Sequence, residues 1–440
     1  VNGFTFDMMI YGQTIECNCG KTHHIDPKQV IYEGAALTRL QKVLSECTTG
    51  RQAVLLMDSR TRDVAGKTAA RLLRDTDWQV SEIVVPDPAR GTSPVCDDLT
   101  HDGLLRQIKA ADVVLPVGSG VLSDLGKWIA FDLQVPYVCF ATAASMNGYA
   151  SANVAMTING VKTLLRARPP RAILSDPAIL YEAPYELTAA GLGDILAKSV
   201  SSADWRMNHF LFGDYFCERS VSLIAAIEPL YMDHPEDLQE RKPEAIAALF
   251  HGLLLTGVSM TMAETSAPSS GAEHLVSHTL DMMSSLDGRP HDLHGRQVGV
   301  GTVLASEIYR RVISLESPDF CASMDFDKEF WGEVGDEVET QYASKMERLQ
   351  KAVEILSQGD SWDRLRGEVK PLLRSPDQIR NCLKGARAAF RADDIGCSPE
   401  RLLCALLHAH EIRSRFTVLD LARLVGVLPQ AAAEIVEEWS

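Results

Sequence analysis

The sequence predicts an α/β N-terminal domain followed by an all-α C-terminal domain. Three observations carry this. Short apolar runs alternate with amphipathic stretches from Lys28 to Ser175, the pattern of a mostly parallel sheet covered on both faces. The run Ala111 to Gly120, ADVVLPVGSG, passes from a buried strand through a glycine turn into a helix. From Tyr185 onward the apolar residues recur at the helical period. The boundary is expected near Pro177 to Pro184, giving domains over 1–180 and 181–440.

The predicted elements run in order. Lys28 to Tyr32 is a short strand, and Gly34 opens a helix whose inner side carries Leu37, Leu40, Val43 and Leu44. Ala53 to Met57 is a strand ending at Asp58, Val64 to Leu73 a helix, and Val80 to Val85 a strand closed by Pro86 and Pro88. Leu104 to Ile108 belongs to the next helix. Strands follow at Val113 to Val117, Val135 to Phe140 and Ala172 to Ser175. Leu187 to Val200 reads as one helix. Further helical faces cover Arg219–Leu230, Glu244–Ala263, Ala272–Met283, Arg296–Leu315, Trp331–Pro371, Ile379–Ala389, Arg401–His410 and Val418–Val425.

Composition narrows the function classes. The chain has 440 residues, 59 acidic against 43 basic, with net charge -16, which argues against a nucleic-acid surface. Ten cysteines, most of them single in apolar settings such as Cys139 and Cys404, do not make a secreted disulfide scaffold. A reducing cytoplasm is the expected compartment. No apolar run approaches 18 residues, and VNGFTFDMM has no basic leader, so neither a membrane span nor a signal peptide is expected. Cys17, Cys19, His23 and His24 have soft-metal ligand chemistry but no CxxC pair, so a polar lead-in hairpin is the preferred reading.

The candidate site residues fall in two groups. Gly118, Ser119 and Gly120 form a junction that points backbone N–H groups and a helix N-terminus at an anion, a phosphate or pyrophosphate, although GxGxxG is lacking. Asp58 stands where a dinucleotide-binding fold places an acid for the adenosine ribose, or else it caps a turn. The loop ATAASMNGYASAN, Ala141 to Asn153, offers Thr142, Ser145, Asn147 and Ser151 near the same sheet edge. In the helical half, Asp194 with His274 and His294 would hold a divalent ion with coordination positions left open. His278 and His291 compete for those places, and spacing does not choose among them; His274 and His278 share a helix face.

The GSG-x-x-x-D-x-x-K pattern at Gly118–Lys127, the ATAASMNGYAS loop, GLGDILAK and the two histidine segments resemble glycerol-1-phosphate dehydrogenases, including the bacterial AraM-like enzymes. These lie within the iron-containing alcohol dehydrogenase and dehydroquinate-synthase-like group. The likeness runs over roughly residues 25 to 315. It implies a dinucleotide-binding α/β domain and a helical metal domain, dehydroquinate-synthase-like. It also implies reduction of dihydroxyacetone phosphate to sn-glycerol 1-phosphate, with NAD(H), or secondarily NADP(H), and one zinc or nickel ion. By the same resemblance Gly118, Ser119, Gly120 and Asp124 belong to the pyrophosphate motif. Asp58 meets the ribose, and Thr142 and Ser145 lie by the nicotinamide. Asp194, His274 and His294 are the metal ligands, and a homodimer is expected. The family loop reads PT-x-x-S-x-D-G; here Ala141 replaces the proline and Asn147 the aspartate, which keeps hydrogen bonding but cannot titrate. Lys162 and Arg296 are the candidates for holding the substrate phosphate. The alternatives are a polyol (glycerol) dehydrogenase, a reductase of a related keto-phosphate, and a non-catalytic NAD-binding relative.

Overall fold

The computed structural model describes residues 10–89, 92–322 and 325–439. The leader reading rests on residues 1–9, which lie outside the described residues. Two compact units emerge. The first is Val1–Gly191 with Ser222–Met232 and Asp237–Thr265; the second is Leu192–Val221, Asp233–Glu236 and Ser266–Ser440. The units are thus interleaved in sequence, where the sequence reading makes a single cut.

The first unit opens with a hairpin, β1 (Thr14–Glu16) and β2 (Thr22–His24). A six-stranded sheet follows: β3 (Gln29–Tyr32), β4 (Gln52–Met57), β5 (Gln79–Val84), β6 (Val113–Gly118), β7 (Val138–Ala141) and β10 (Ala172–Ser175). Its order is β3-β10-β7-β6-β4-β5, and every pairing is parallel. All six residues of β6 are buried, which is why it reads as a continuous apolar run rather than an alternating one. Helices α1 (Leu40–Cys47) and α2 (Lys67–Arg74) cover one face. Leu40, Leu44, Leu73 and Trp78 pack there on Leu55, Val113, Leu115 and Phe140. Each such side chain contributes about 1.5–3 kcal/mol on burial. Helix α3 is Asp98–Leu105 and α4 is Gly120–Asp132.

Three boundaries differ from the sequence expectation for local reasons. The Asp97 side chain accepts from Thr100 N, which starts α3 at Asp98, and the helix ends before Ile108. The helix expected from Gly34 begins as a 3₁₀ turn, Ala36–Arg39. A π-helical turn, Arg62–Gly66, precedes α2. The antiparallel hairpin β8 (Asn153–Ile158) and β9 (Val161–Arg166) has no counterpart in the sequence reading. Its sequence alternation is broken by Ala155 between Val154 and Met156 and by the adjacent Leu164 and Leu165.

The stretch read as one helix is two, α5 (Tyr185–Leu196) and α6 (Lys198–Phe212). The region Arg219–Leu230 holds only two short helices, Glu218–Ser222 and Pro229–Met232. Helix α7, Pro243–Ala263, is the helix expected over Glu244–Ala263; it is long and apolar enough by composition to cross a membrane, but 89% of its most apolar window is buried in the protein, as in a core helix. The second unit carries α8 (Ala272–Asp287) and α9 (His294–Ser314), packed on each other, and shorter helices to Trp439. The Trp331–Pro371 stretch divides into several of these. Cys404 corrects another expectation: Leu402, Ala405 and Leu406 turn inward in Pro399–His408, which leaves Cys404 exposed, whereas Cys139 is buried.

Candidate functional site

In the first unit the chain runs from β4 to β5 at one edge of the sheet, then crosses back to β6 on the other side of β4. The strand order therefore reverses between β4 and β6, and a crevice opens beyond their carboxyl ends. Asp58 ends β4, and Gly118, Ser119 and Gly120 lead from β6 into α4. Ser119 occupies the N-cap position with no side-chain cap bond, so the first N–H groups of α4 have no hydroxyl partner from it. Thr142 continues from β7, its N–H on Gly118 O at 3.1 Å. The structure thus brings together in one unit the residues predicted around a phosphate-bearing ligand.

Asp58 is more committed than the sequence suggested. Its Oδ1 accepts from Arg60 N at 2.9 Å and Thr61 N at 2.7 Å, closing a capping box. Its Oδ2 receives the Arg60 guanidinium at 2.9 Å, and Arg60 also pairs with Asp87 at 2.7 Å. Arg60 escaped sequence reasoning; the signal was its place two residues after the strand-ending acid. Asp124 is buried in α4, 3.3 Å from Lys127 Nζ. Burial pushes the Asp124 carboxyl above its ordinary range, and Lys127 opposes that rise. Lys127 also donates to Gly148 O at 2.9 Å and Asn153 O at 2.8 Å. Thr261 of α7 donates to Ala150 O and accepts from Ala152 N, both at 3.2 Å. These bonds hold the segment bearing Asn147 and Ser151, which are themselves buried. Tyr149 Oη donates to Ala143 O at 2.8 Å and lies 3.2 Å from Ser145 Oγ. Lys162 sits half-buried in β9 opposite Thr157.

The second unit settles which histidines converge. Asp194, His274 and His294 each offer a ligand atom, and these atoms lie within 4.8 Å of one another. Asp194 Oδ1 is 3.5 Å from His274 Nε2. His278 stacks on His294 with ring centres 5.6 Å apart but stands outside that three-donor group. His291 is half-exposed, 3.7 Å from Asp281. Gly193 explains why Asp194 reaches His294: a β-carbon at Gly193 would fall 2.1 Å from Gly295 O, so α5 meets the start of α9 backbone to backbone.

Each imidazole is oriented from behind. Glu273 Oε1 lies 2.8 Å from His274 Nδ1 and also accepts from Gly271 N at 2.7 Å. Because that carboxylate only accepts, Nδ1 carries a proton, and Nε2 is the ring atom that faces Asp194. Ser277 Oγ donates to Gln297 Oε1 at 2.9 Å, so at 3.2 Å it accepts from His294 Nδ1, again leaving Nε2 as the ligand atom. Burial alone disfavours a charged His274, but Asp194 and Glu273 outweigh it and raise its pKa to about 9. The negative surroundings favour positive charge at this place, and Asp194, His274 and His294 could hold a divalent ion there. Glu273, Ser277 and Gln297 were not read from the sequence, although Glu273 directly precedes His274. Arg296, in the first turn of α9, pairs with Asp292 at 2.8 Å and donates to Asp394 O.

Comparisons with known proteins place the chain among dehydrogenases. The iron-containing alcohol dehydrogenase family matches residues 30–184. The chain is 28% identical over 366 residues to glycerol-1-phosphate dehydrogenase (NAD(P)+) of Bacillus subtilis, covering 83% of this chain and 84% of the relative. It is 31% identical over 284 residues to the protein of the same name from Pyrococcus horikoshii, covering 64% of this chain and 79% of the relative. Among solved structures, glycerol dehydrogenase from Schizosaccharomyces pombe shares the fold, with a TM-score of 0.60 at 15% identity over 93% of this chain and 90% of that one.

Proposed function

The chain belongs to the glycerol-1-phosphate dehydrogenase family of oxidoreductases, and on that premise we propose that it interconverts dihydroxyacetone phosphate and sn-glycerol 1-phosphate with NAD(P)H. The observation that carries the reading is the convergence of Asp194, His274 and His294, with both imidazoles turned ligand-first by Glu273 and Ser277. A zinc or nickel ion held there would polarise the ketone carbonyl, and the reduced nicotinamide would supply the hydride.

The remaining work falls to side chains and backbone. Gly118, Ser119 and Gly120 present the α4 N-terminus to the pyrophosphate. Asp58 takes the adenosine ribose by its hydroxyls. Arg60 beside it offsets the repulsion Asp58 would exert on a 2′-phosphate, which favours use of both NAD(H) and NADP(H). Tyr149 gives its proton to Ala143 O, so Ser145 Oγ donates to Tyr149 and turns lone pairs outward, as acceptors for the nicotinamide carboxamide. Thr142 completes the nicotinamide side. Asp124 acts through Lys127, keeping the Asn147 segment in register with α4. Asn147 binds a substrate hydroxyl but supplies no proton, so the product alcohol draws its proton from a hydroxyl or solvent. Of the two candidates for the substrate phosphate, Arg296 lies in the same unit as the trio and Lys162 in the unit of the glycine turn.

The test is an assay of the metal-replete protein with dihydroxyacetone phosphate and NADH or NADPH, with the product enantiomer determined. Consumption of either nucleotide with formation of sn-glycerol 1-phosphate is expected. Turnover of dihydroxyacetone or glycerol with none of the phosphate ester would overturn the reading in favour of a polyol dehydrogenase.

A further inference from the structure

The β1–β2 hairpin of the first unit carries a second set of soft ligands, separate from the trio on α5, α8 and α9. Ile15 pairs with His23 and Glu16 with Thr22. The ladder extends through Cys17 N on Lys21 O at 3.1 Å, and Gly20 N on Cys17 O at 3.0 Å closes a tight turn. Gly20 has φ +86°, a left-handed conformation that favours glycine, so the CNCGK segment reverses within four residues. Side chains two apart on a strand share a face, so Cys17 lies on the face of Ile15 and of its partner His23. The turn brings Cys19 to the same place: its Sγ is 3.2 Å from His23 Nε2. One ligand atom from each of Cys17, Cys19 and His23 lies within 4.8 Å of the other two. His23 is buried and both cysteines are half-buried.

We propose that Cys17, Cys19 and His23 bind a zinc ion that locks this hairpin. Zinc bonded to sulfur at about 2.3 Å and to nitrogen at about 2.0 Å sets neighbouring ligand atoms about 3.5–3.8 Å apart, and these three already lie within 4.8 Å of one another. Two thiolates cancel the charge of a divalent ion, which suits a half-buried position. Binding forms two sulfur–zinc bonds and one nitrogen–zinc bond and releases the two thiol protons to solvent. Three ligands leave one tetrahedral position for a further donor. The mixed sulfur and nitrogen set selects a softer ion than the carboxylate and imidazoles of the Asp194 trio.

Cobalt(II) loading of the full-length protein tests this, because a thiolate-to-cobalt charge-transfer band arises only where cysteine is a ligand. The wild-type protein should bind two cobalt ions per chain and show the band, with two protons released per ion at the thiolate site. The C17S/C19S protein should lose the band and one ion. Asp194→Asn should lose one ion and keep the band, which separates this site from the trio. An unchanged cobalt content in C17S/C19S overturns the proposal. So does a wild-type spectrum without the band, whether the thiols are then joined as a disulfide or merely hydrogen-bonded to His23. Should the double variant fail to fold, the wild-type spectrum and His23→Gln, which should bind the ion at least tenfold more weakly with the band retained at saturation, decide the matter.

Discussion

The strand-end crevice of the first unit and the three-donor cluster of the second are built from opposite materials. The crevice is backbone: a strand end, a glycine turn and the start of α4, contributed by neighbouring strands of one sheet. The cluster is side chains: one residue from each of three helices, aimed by a second layer of Glu273, Ser277 and Gln297. A site made of peptide N–H groups tolerates changes of side chain. A site made of side chains is more sensitive, because each donor is a single side chain and each depends on the partner that orients it.

The strongest challenge to this contrast is Asp194→Asn. It should remove the one ion per chain held by the trio and lower kcat/KM about a thousandfold or more, about 4 kcal/mol of barrier, read by metal analysis and steady-state kinetics. Retention of both would break the side-chain half of the comparison.

A stability measurement sharpens the other half. Burial in α7 lowers the pKa of His251 to about 4 from 6.5. The unfolded chain therefore binds a proton that the folded chain refuses between about pH 6.5 and 4, so the first unit loses stability as pH falls through that window. The loss is at most about 3 kcal/mol. His251→Gln should flatten the dependence, measured as denaturant midpoints at pH 7 and pH 5. An equal acid slope in the variant would assign the sensitivity elsewhere.

Glu273→Gln keeps an acceptor for His274 Nδ1 but removes the charge. Metal affinity should fall about 10- to 100-fold, measured by competition with a chelator, while cofactor binding stays the same. At the small end, Ser119→Ala leaves the N–H groups in place. Its cofactor KM should move by less than about threefold, under ~0.7 kcal/mol. A hundredfold rise would show that the crevice depends on a hydroxyl after all.

The same contrast governs what could be read in advance. The crevice was legible because its parts are local: an apolar run, a glycine turn and a helix start are contiguous from Val113 to Lys127, and Asp58 follows a strand directly. The chemistry of the trio was legible, but its membership was not readable from spacing alone, since His278 and His291 fit as well. Only the packing of α8 on α9 and the approach of α5 through Gly193 separate them. The β8–β9 hairpin was missed because the apolar run Val154-Ala155-Met156 in β8 and the adjacent Leu164 and Leu165 in β9 blur the apolar–polar alternation that marks a strand. Helix α7 was legible almost to the residue, and the threonine, serine, glycine and His251 within it, most of them buried, are why it does not read as one unbroken apolar run. The duty of Arg60 was hidden for another reason: a guanidinium two residues beyond an acid is common, and only the observed ion pairs give it meaning.

The backbone contact at Gly193 also bears on how the enzyme is loaded. Ligand atoms carried on helices that touch main chain to main chain hold their spacing before any ion arrives. Capture then orders no loop and refolds no segment. Protein stripped by a chelator should regain activity as fast as metal is delivered. Reactivation would thus be a matter of ion supply in the surroundings, not of conformational repair.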